Sequence, residues 1–186
     1  MTPEEIFQKL SGRRIQGVMI HQQYADYYNF LGLHGYERCH QYQAYEELIG
    51  LTKLHDSFIT VYDKLVPQAE FTNPEIVPQT WRRYSRNDID GKTKRQAVRD
   101  GFDRWCAWET ETLSIAENAC KQLAEIGEAK GVEIAFMIVR DVTDELERIK
   151  RQKMALSSVD YDMVFILDEQ DKEYHKYQKM MKGLRG

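Results

Sequence analysis

The sequence predicts an all-α protein. We expect a four-helix bundle with one long crossover and an additional C-terminal helix, in a single helical domain over residues 1–186. Apolar residues recur at helical spacing through nearly the whole chain. Residues that end helices are few, with 11 glycines and 4 prolines. Pro67, Pro74 and Pro78 fall close together, so long helices are expected on either side of them.

The chain begins with the pattern of a helix start. Thr2 suits the capping position, Pro3 the first helical position, and Glu5 completes a capping box. Ser11–Gly12 predict that this short helix ends or bends there. A first long bundle helix is then predicted over about 13–33.

The second bundle helix is predicted over about 35–65, where one inward stripe follows helical spacing. This stripe comprises Ala44, Glu47, Leu51, Leu54 and Phe58. Residues 67–92 form the predicted crossover, because prolines interrupt any long helix there. Trp81 and Tyr84 are expected to pack it along the bundle.

The second half of the chain predicts another pair of helices and a final one. The third helix is expected over about 93–129 and the fourth over about 132–155, with a tight turn at Gly131. Ser157–Ser158 are expected to cap a fifth helix over about 159–182. Short links make the helices within each pair antiparallel, while the long connection lets the chain cross over.

Composition excludes several classes of protein. A net charge of -4 gives no electrostatic reason to expect nucleic acid as a partner. No apolar run approaches the ~18 residues of a membrane span, and the N-terminus lacks a signal-peptide pattern. Cys39, Cys106 and Cys120 show no metal-binding spacing and are expected to be reduced thiols. We therefore expect a cytoplasmic protein that contacts neither membrane nor nucleic acid.

Three glutamates fall on inward helical positions. They are Glu47, Glu109 and Glu145, one on each of the second, third and fourth predicted helices. A buried carboxylate needs a cation, a metal ion or a proton, because an isolated charge is costly in an apolar core. The partner of these carboxylates therefore decides the chemistry of the protein.

Segments around these glutamates resemble the metal-binding segments of the ferritin-like superfamily. Residues 45–50 resemble its E-E-x-x-H segment, and residues 142–149 resemble the L-x-D-E-x-x-H-I segment of bacterioferritin-like proteins. Trp108 and Glu109 resemble the site of its bridging glutamate. The resemblance covers roughly residues 13–155. It implies a bundle with a di-iron carboxylate centre, and association through the first two helices.

The sequence departs from that pattern at the remaining ligand positions. Gly50 and Arg148 stand where the two histidines are expected. The first helix lacks the expected glutamate. His21 stands there instead, seven residues before a tyrosine, with Gln22 beside it and Asp26 one turn later. The metal site that the resemblance implies is therefore degenerate.

The residues that remain define two predicted sets. The candidate metal ligands are Glu47, Glu109, Glu145 and His21. The predicted polar core cluster adds Arg148, Asp26 and Gln22. A guanidinium offers a rigid fork of donors that suits carboxylates, so Arg148 is predicted to neutralise one of the glutamates. We expect no cofactor, with iron, manganese or zinc as the alternative.

Two other metal sites stay open at this stage. Glu37 and His40 form a true E-x-x-H near the start of the second helix. His21, His55 and Glu109 can also converge into a mononuclear zinc or iron site with histidine and carboxylate ligands. A solvated or packed histidine is the competing interpretation of each.

Three functions follow from these patterns. The first is a ferritin-like protein that has lost di-iron chemistry and serves as a binding or structural protein. It is expected to be a homodimer joined through a tyrosine-rich surface on the first two helices. The second is an atypical iron- or manganese-dependent oxidoreductase of the same superfamily. The third is a helical adaptor unrelated to ferritins, in which the three glutamates lie more than ~10 Å apart.

Overall fold

Five α-helices make up the computed structural model, which describes residues 1–69, 71, 85 and 88–184. No strand occurs among these residues, so the all-α prediction is confirmed. None of the helices in this part of the chain is long and apolar enough to cross a membrane. The helices are α1 (Pro3–Phe30), α2 (His34–Tyr62), α3 (Gly91–Glu125), α4 (Ala129–Ser158) and α5 (Met163–Leu184).

The first four helices form two helical hairpins, α1–α2 and α3–α4. Phe58, near the end of α2, packs on Phe7 at the start of α1, with ring centroids 5.0 Å apart. At the opposite end of the bundle, Tyr36 of α2 packs on Phe102, near the start of α3. Helices α2 and α3 therefore run in the same direction, and the connection between them spans the length of the bundle.

Most of the predicted crossover, including Trp81 and Tyr84, lies outside the described residues. The structure does describe residues at its two ends. The side chain of Gln8 donates a 2.7 Å hydrogen bond to the carbonyl of Gln68. Ile89 packs against the core at the opposite end of the bundle.

The predicted break at Ser11–Gly12 is wrong, because α1 is continuous from Pro3 to Phe30. The predicted capping box of Thr2 and Glu5 is present. Both Ser11 and Gly12 are buried, and the Ser11 hydroxyl lies 2.8 Å from Nε2 of His55. Packing against α2 thus outweighs the cost of about 1 kcal/mol that a glycine imposes on a helix.

The two later turns differ from the prediction. The α3–α4 turn lies at Gly127, whose φ of +79° suits glycine, and Gly131 lies inside α4. Ser157–Ser158 end α4 and do not cap α5. The chain reverses instead at Asp160 and Tyr161, which both have positive φ.

Helix α5 folds back along the bundle and packs chiefly on α2. Gly35 makes this close approach possible, since a Cβ there would lie 1.5 Å from the carbonyl oxygen of Gln170. The Gly35 amide also donates a 2.8 Å hydrogen bond to the Gln170 side chain. Further along, the Tyr42 and Tyr177 rings meet at 5.4 Å, so α5 runs parallel to α2.

The core consists of two apolar clusters with buried polar residues between them along the helices. The aromatic cluster, at the α5 end, includes Tyr24, Tyr28, Tyr36, Phe102 and Trp105. The aliphatic cluster, at the other end, includes Leu10, Leu54, Leu123, Ile134 and Ile138. We call the residues between them the polar layer; its members are Arg14, His21, His40, Glu47 and Glu109.

The predicted tyrosine-rich surface is wrong, because most of these tyrosines build the aromatic cluster. Tyr24, Tyr27, Tyr28 and Tyr36 are all at most 5% exposed. Their rings pack against α3 and against one another inside this chain. The homodimer stays a prediction, but these four tyrosines do not supply its surface.

Candidate metal centre

Three of the four predicted metal ligands meet in the polar layer. His21 comes from α1, Glu47 from α2 and Glu109 from α3. Each offers one ligand atom, and these atoms lie within 4.8 Å of one another. It is the one such group of three or more His, Cys, Asp or Glu within residues 1–69, 71, 85 and 88–184. The close approach of Glu47 and Glu109 contradicts the adaptor interpretation.

His21 is held between a carboxylate and a second imidazole. Its Nε2 lies 3.7 Å from Oε1 of Glu109, and its Nδ1 lies 3.0 Å from Nδ1 of His40. Burial lowers the pKa of His21 and lowers that of His40 well below its usual value. Both rings are therefore neutral imidazoles near pH 7, the form in which a histidine binds a metal.

Glu47 is paired with an arginine that sequence reasoning missed. Nη1 of Arg14 donates to Oε2 of Glu47 at 2.8 Å, and both side chains are nine-tenths buried or more. Burial raises the pKa of Glu47, and the Arg14 charge opposes that rise. Gly50 provides the room, since a Cβ at that position would lie 3.0 Å from Cζ of Arg14. A guanidinium therefore packs against the position where the resemblance expects a histidine.

Glu109 is the least compensated of the three glutamates. It is 2% exposed, and burial raises its pKa to about 7. The indole N–H of Trp105 lies near enough to lower that pKa, but without the geometry of a hydrogen bond. In the described part of the chain, its only ion-pair partner within 4.0 Å is His21, which is neutral. Glu109 thus needs a proton or a bound cation.

Glu145 lies outside the group of three and is neutralised by Arg148. The two side chains form an ion pair, and Nε of Arg148 donates to Oε2 of Glu145 at 3.1 Å. Arg148 also donates to the Tyr177 hydroxyl at 2.9 Å, and its Cζ lies 5.0 Å from the centre of the Trp105 ring. These contacts from α3 and α5 hold the guanidinium at this place.

Gln22 and Asp26 are not part of the polar core cluster, which corrects the prediction. Both are exposed, and they form a 3.0 Å hydrogen bond with each other on the outer face of α1. The next residue along a helix points about 100° away from its neighbour, and a fourth residue returns to the same face. Because His21 points inward, Gln22 and Asp26 point to solvent.

Neither alternative metal site assembles. The Glu37 carboxylate accepts hydrogen bonds from Asn29 and from the amide of Gln41, and it pairs with the His34 ring. His40 turns instead towards His21. His55 contacts Ser11, which lies about 15 Å along α1 from His21. These histidines therefore do not form the two alternative centres predicted from the sequence.

A cavity of about 330 Å³ joins the polar layer to the surface between α2 and α4. Glu47, Glu109 and Glu145 line it, and the exposed carboxylates of Glu46 and Asp144 stand at its mouth. A cavity lined mainly by carboxylates concentrates cations and repels anions. The cavity therefore offers a cation a route to Glu109.

Sequence reasoning missed Arg14 and assigned His40 to a different site, with Glu37, instead of to His21. Each is seven residues before a predicted ligand on the same helix, His21 and Glu47 respectively. Seven residues are close to two helical turns, so both side chains return to the inward face. That spacing was the available signal, but it does not show which helix each side chain faces.

The residues fit one metal ion and do not fit two. One imidazole and two carboxylates from three helices are a ligand set that suits a divalent zinc, manganese or iron ion. Gly50 and Arg148 stand at the two positions where the resemblance expects the histidines of a di-iron centre. Arg14 and Arg148 add two fixed positive charges beside the glutamates, which opposes a second cation.

The fold is that of ferritins, as comparison with solved structures shows. The open-pore ferritin of the hyperthermophilic archaeon Archaeoglobus fulgidus is similar to this chain, with a TM-score of 0.73 and 14% identity. The match covers 92% of this chain and 95% of the ferritin. A closed form engineered from that ferritin gives a TM-score of 0.74 at 13% identity, covering 94% and 96% of the two chains.

A humanized archaeal ferritin is similar too, with a TM-score of 0.72 and 12% identity over 94% of this chain and 97% of that one. No protein-family model matches the sequence, and no curated protein matches it. The predicted ferritin-like four-helix bundle is therefore confirmed as the fold.

The Arg14–Glu47 pair predicts a large effect when one partner is removed. Arg14→Ala leaves a buried carboxylate unpaired, so the free energy of unfolding should fall by about 3 kcal/mol in denaturant titrations of metal-free protein. Adding Glu47→Gln should restore at least about 1 kcal/mol. As a control, Arg99→Ala breaks the exposed pair with Asp160 and should cost less than about 1 kcal/mol. A loss below about 0.5 kcal/mol for Arg14→Ala would contradict the pairing.

The raised pKa of Glu109 predicts how stability changes with pH. A carboxyl whose folded pKa is above its unfolded value of 4.5 stabilises the fold below pH 4.5 and loses that contribution as pH rises to about 7. Glu109→Gln removes this loss. The variant should therefore gain about 3 kcal/mol relative to wild type between pH 4 and pH 8, in unfolding experiments with chelator present.

Trp105, Arg14, Arg13 and Arg148 act in the opposite direction and limit the rise in the pKa of Glu109. Glu111→Gln, on the exposed side of the same helix, controls for the change in net charge. A stability difference that does not change with pH would show that Glu109 binds its proton equally in the folded and unfolded chain.

Proposed function

We propose that this protein is a ferritin-like bundle that binds one divalent metal ion through His21, Glu47 and Glu109. In this proposal it has lost the two-metal oxidation chemistry that the resemblance to ferritins implies. It then acts as a metal-binding protein rather than as an iron-oxidising enzyme.

The uncompensated Glu109 carries the proposal. It lies in the polar layer without a cationic partner in contact among the residues that the structure describes, while Glu47 and Glu145 each have an arginine. A bound cation would compensate Glu109 and recruit the neutral Nε2 of His21, 3.7 Å away. Glu47 would contribute an oxygen while keeping its bond to Arg14.

The two arginines support the loss of the second metal. Each guanidinium donates hydrogen bonds to a carboxylate that a second ion would need as a ligand. Arginine stays protonated at any relevant pH, so its charge cannot be removed to admit a metal ion. The bound ion, when present, would supply a Lewis-acidic centre at the base of the acidic cavity.

Metal titration tests the stoichiometry. Protein stripped with chelator should bind about one equivalent of Zn²⁺ or Mn²⁺ above pH 7, where Glu109 gives up its proton. His21→Phe and Glu109→Gln should each lower the affinity by at least about tenfold, measured by calorimetry. His55→Phe, away from the centre, is the matched control and should bind as wild type does.

Two other stoichiometries would overturn the proposal in different ways. Binding of two equivalents at similar affinity would mean that the arginines do not exclude a second ion. Binding of less than about 0.1 equivalent would leave Glu109 to be neutralised by its proton and would make the bundle a purely structural protein.

An atypical metal-dependent oxidoreductase is the second candidate, and the aromatic rings around His21 favour it. The ring centroids of Trp105 and Tyr24 lie 5.8 and 6.5 Å from that of His21. Indole and phenol rings can each give up one electron, so they are suited to redox chemistry beside a metal ion.

Oxygen consumption separates the two candidates. Protein loaded with Fe²⁺ under argon and then exposed to oxygen should, under the leading proposal, oxidise iron no faster than buffer does. A rate at least about tenfold above buffer, abolished by Glu109→Gln, would instead establish the oxidoreductase. His55→Phe again serves as the control variant.

A further inference from the structure

The imidazoles of His21 and His40 meet Nδ1 to Nδ1 at 3.0 Å in the polar layer. The two side chains are only 1% and 2% exposed. Two N–H groups cannot face each other at this distance, so one nitrogen donates and the other accepts. Since both rings are neutral, the tautomer of one ring fixes the tautomer of the other.

His40 cannot turn away from this contact, because aromatic rings surround it. The centroid of its ring lies 4.4 Å from that of Trp105, 4.8 Å from that of Tyr24 and 5.4 Å from that of Tyr28. The His40 and Tyr28 rings are nearly parallel, with 11° between their planes. The position of Nδ1 of His40 is therefore set by packing.

The histidine pair has two arrangements with different consequences for the metal centre. When Nδ1 of His21 accepts, its Nε2 carries a hydrogen that points towards Glu109, 3.7 Å away, and it cannot bind a cation. When Nδ1 of His21 donates to His40, its Nε2 has a free lone pair on the side of Glu109. Only the second arrangement is competent to bind metal.

We propose that His40 is a positioning residue for the candidate metal centre. It accepts the Nδ1–H of His21 and so presents the Nε2 lone pair of His21 to the cation. The inference rests on the proposed metal site, although the histidine pair is present without any metal. Binding of a cation selects the arrangement in which His40 carries its hydrogen on Nε2.

An imidazole suits this role better than the usual carboxylate partner of a metal-binding histidine. A third carboxylate would add negative charge to a layer that already holds Glu47 and Glu109. A neutral imidazole adds none. It also has two tautomers, and the one with its hydrogen on Nε2 can accept a hydrogen bond from Nδ1–H of His21 while both rings stay neutral.

Nitrogen NMR of protein labelled with ¹⁵N-histidine reads the tautomers directly, and the chain has only five histidines to assign. With Zn²⁺ bound, we expect His21 protonated on Nδ1 and His40 protonated on Nε2. In the metal-free protein, one of the two Nδ1 atoms should carry a hydrogen and the other should not. A Zn²⁺-bound form in which His40 carries its hydrogen on Nδ1 would overturn the inference.

Substitution tests the same role through affinity. His40→Phe keeps a ring in the aromatic packing but removes the acceptor, so the Zn²⁺ affinity should fall by about 10- to 100-fold. His40→Gln offers a carbonyl acceptor and should recover part of that loss. The control His55→Phe removes a half-buried histidine elsewhere on α2 and should not change the affinity.

The outcomes separate the two proposals. Wild-type affinity in a folded His40→Phe protein would overturn the role of His40 and leave the metal site standing. Absence of Zn²⁺ binding in the wild type would overturn the metal site and the role of His40 together. If His40→Phe does not fold, the tautomers of the Zn²⁺-bound wild type decide the question alone.

Discussion

The structure depends on how buried carboxylates are neutralised inside a helical bundle. Glu47 and Glu109 lie between two apolar clusters, with Glu145 beside them, where an uncompensated charge costs several kcal/mol. Arg14 neutralises the first and Arg148 the third. Within the described part of the chain, the only ion-pair contact of Glu109 is with a neutral histidine, so the charge of the polar layer depends on a single proton or a single cation. The function follows from which of these is bound.

Two glycines make this arrangement possible. A Cβ at Gly17 would lie 2.8 Å from Cδ of Glu47, and one at Gly50 would lie 3.0 Å from Cζ of Arg14. These two glycines, on adjoining helices, leave the volume that the Arg14–Glu47 pair fills. Glycine at position 50, where the resemblance expects a histidine, is therefore linked to the arginine at position 14 on the neighbouring helix.

Sequence reasoning predicted the helices, the inward glutamates and a neutralising role for Arg148, but not the pairing of Arg14 with Glu47. Helical periodicity marks the face of Glu47 and Glu109, because burial repeats with the period of the helix. The contacts of Arg14 with Glu47 and of His40 with His21 depend on the relative height of α1 and α2, which no local pattern in the sequence records. The turn at Asp160 and Tyr161 was missed for a related reason. Both residues have positive φ, but neither is a glycine, so the sequence carries no signal for a turn there.

Helix α5 has a consequence for how the bundle is assembled. Its Tyr177 bonds to Arg148, and its backbone at Gln170 contacts Gly35. The guanidinium that compensates Glu145 is thus oriented from outside the four bundle helices. The fifth helix therefore contributes to the electrostatics of the bundle interior as well as to its packing.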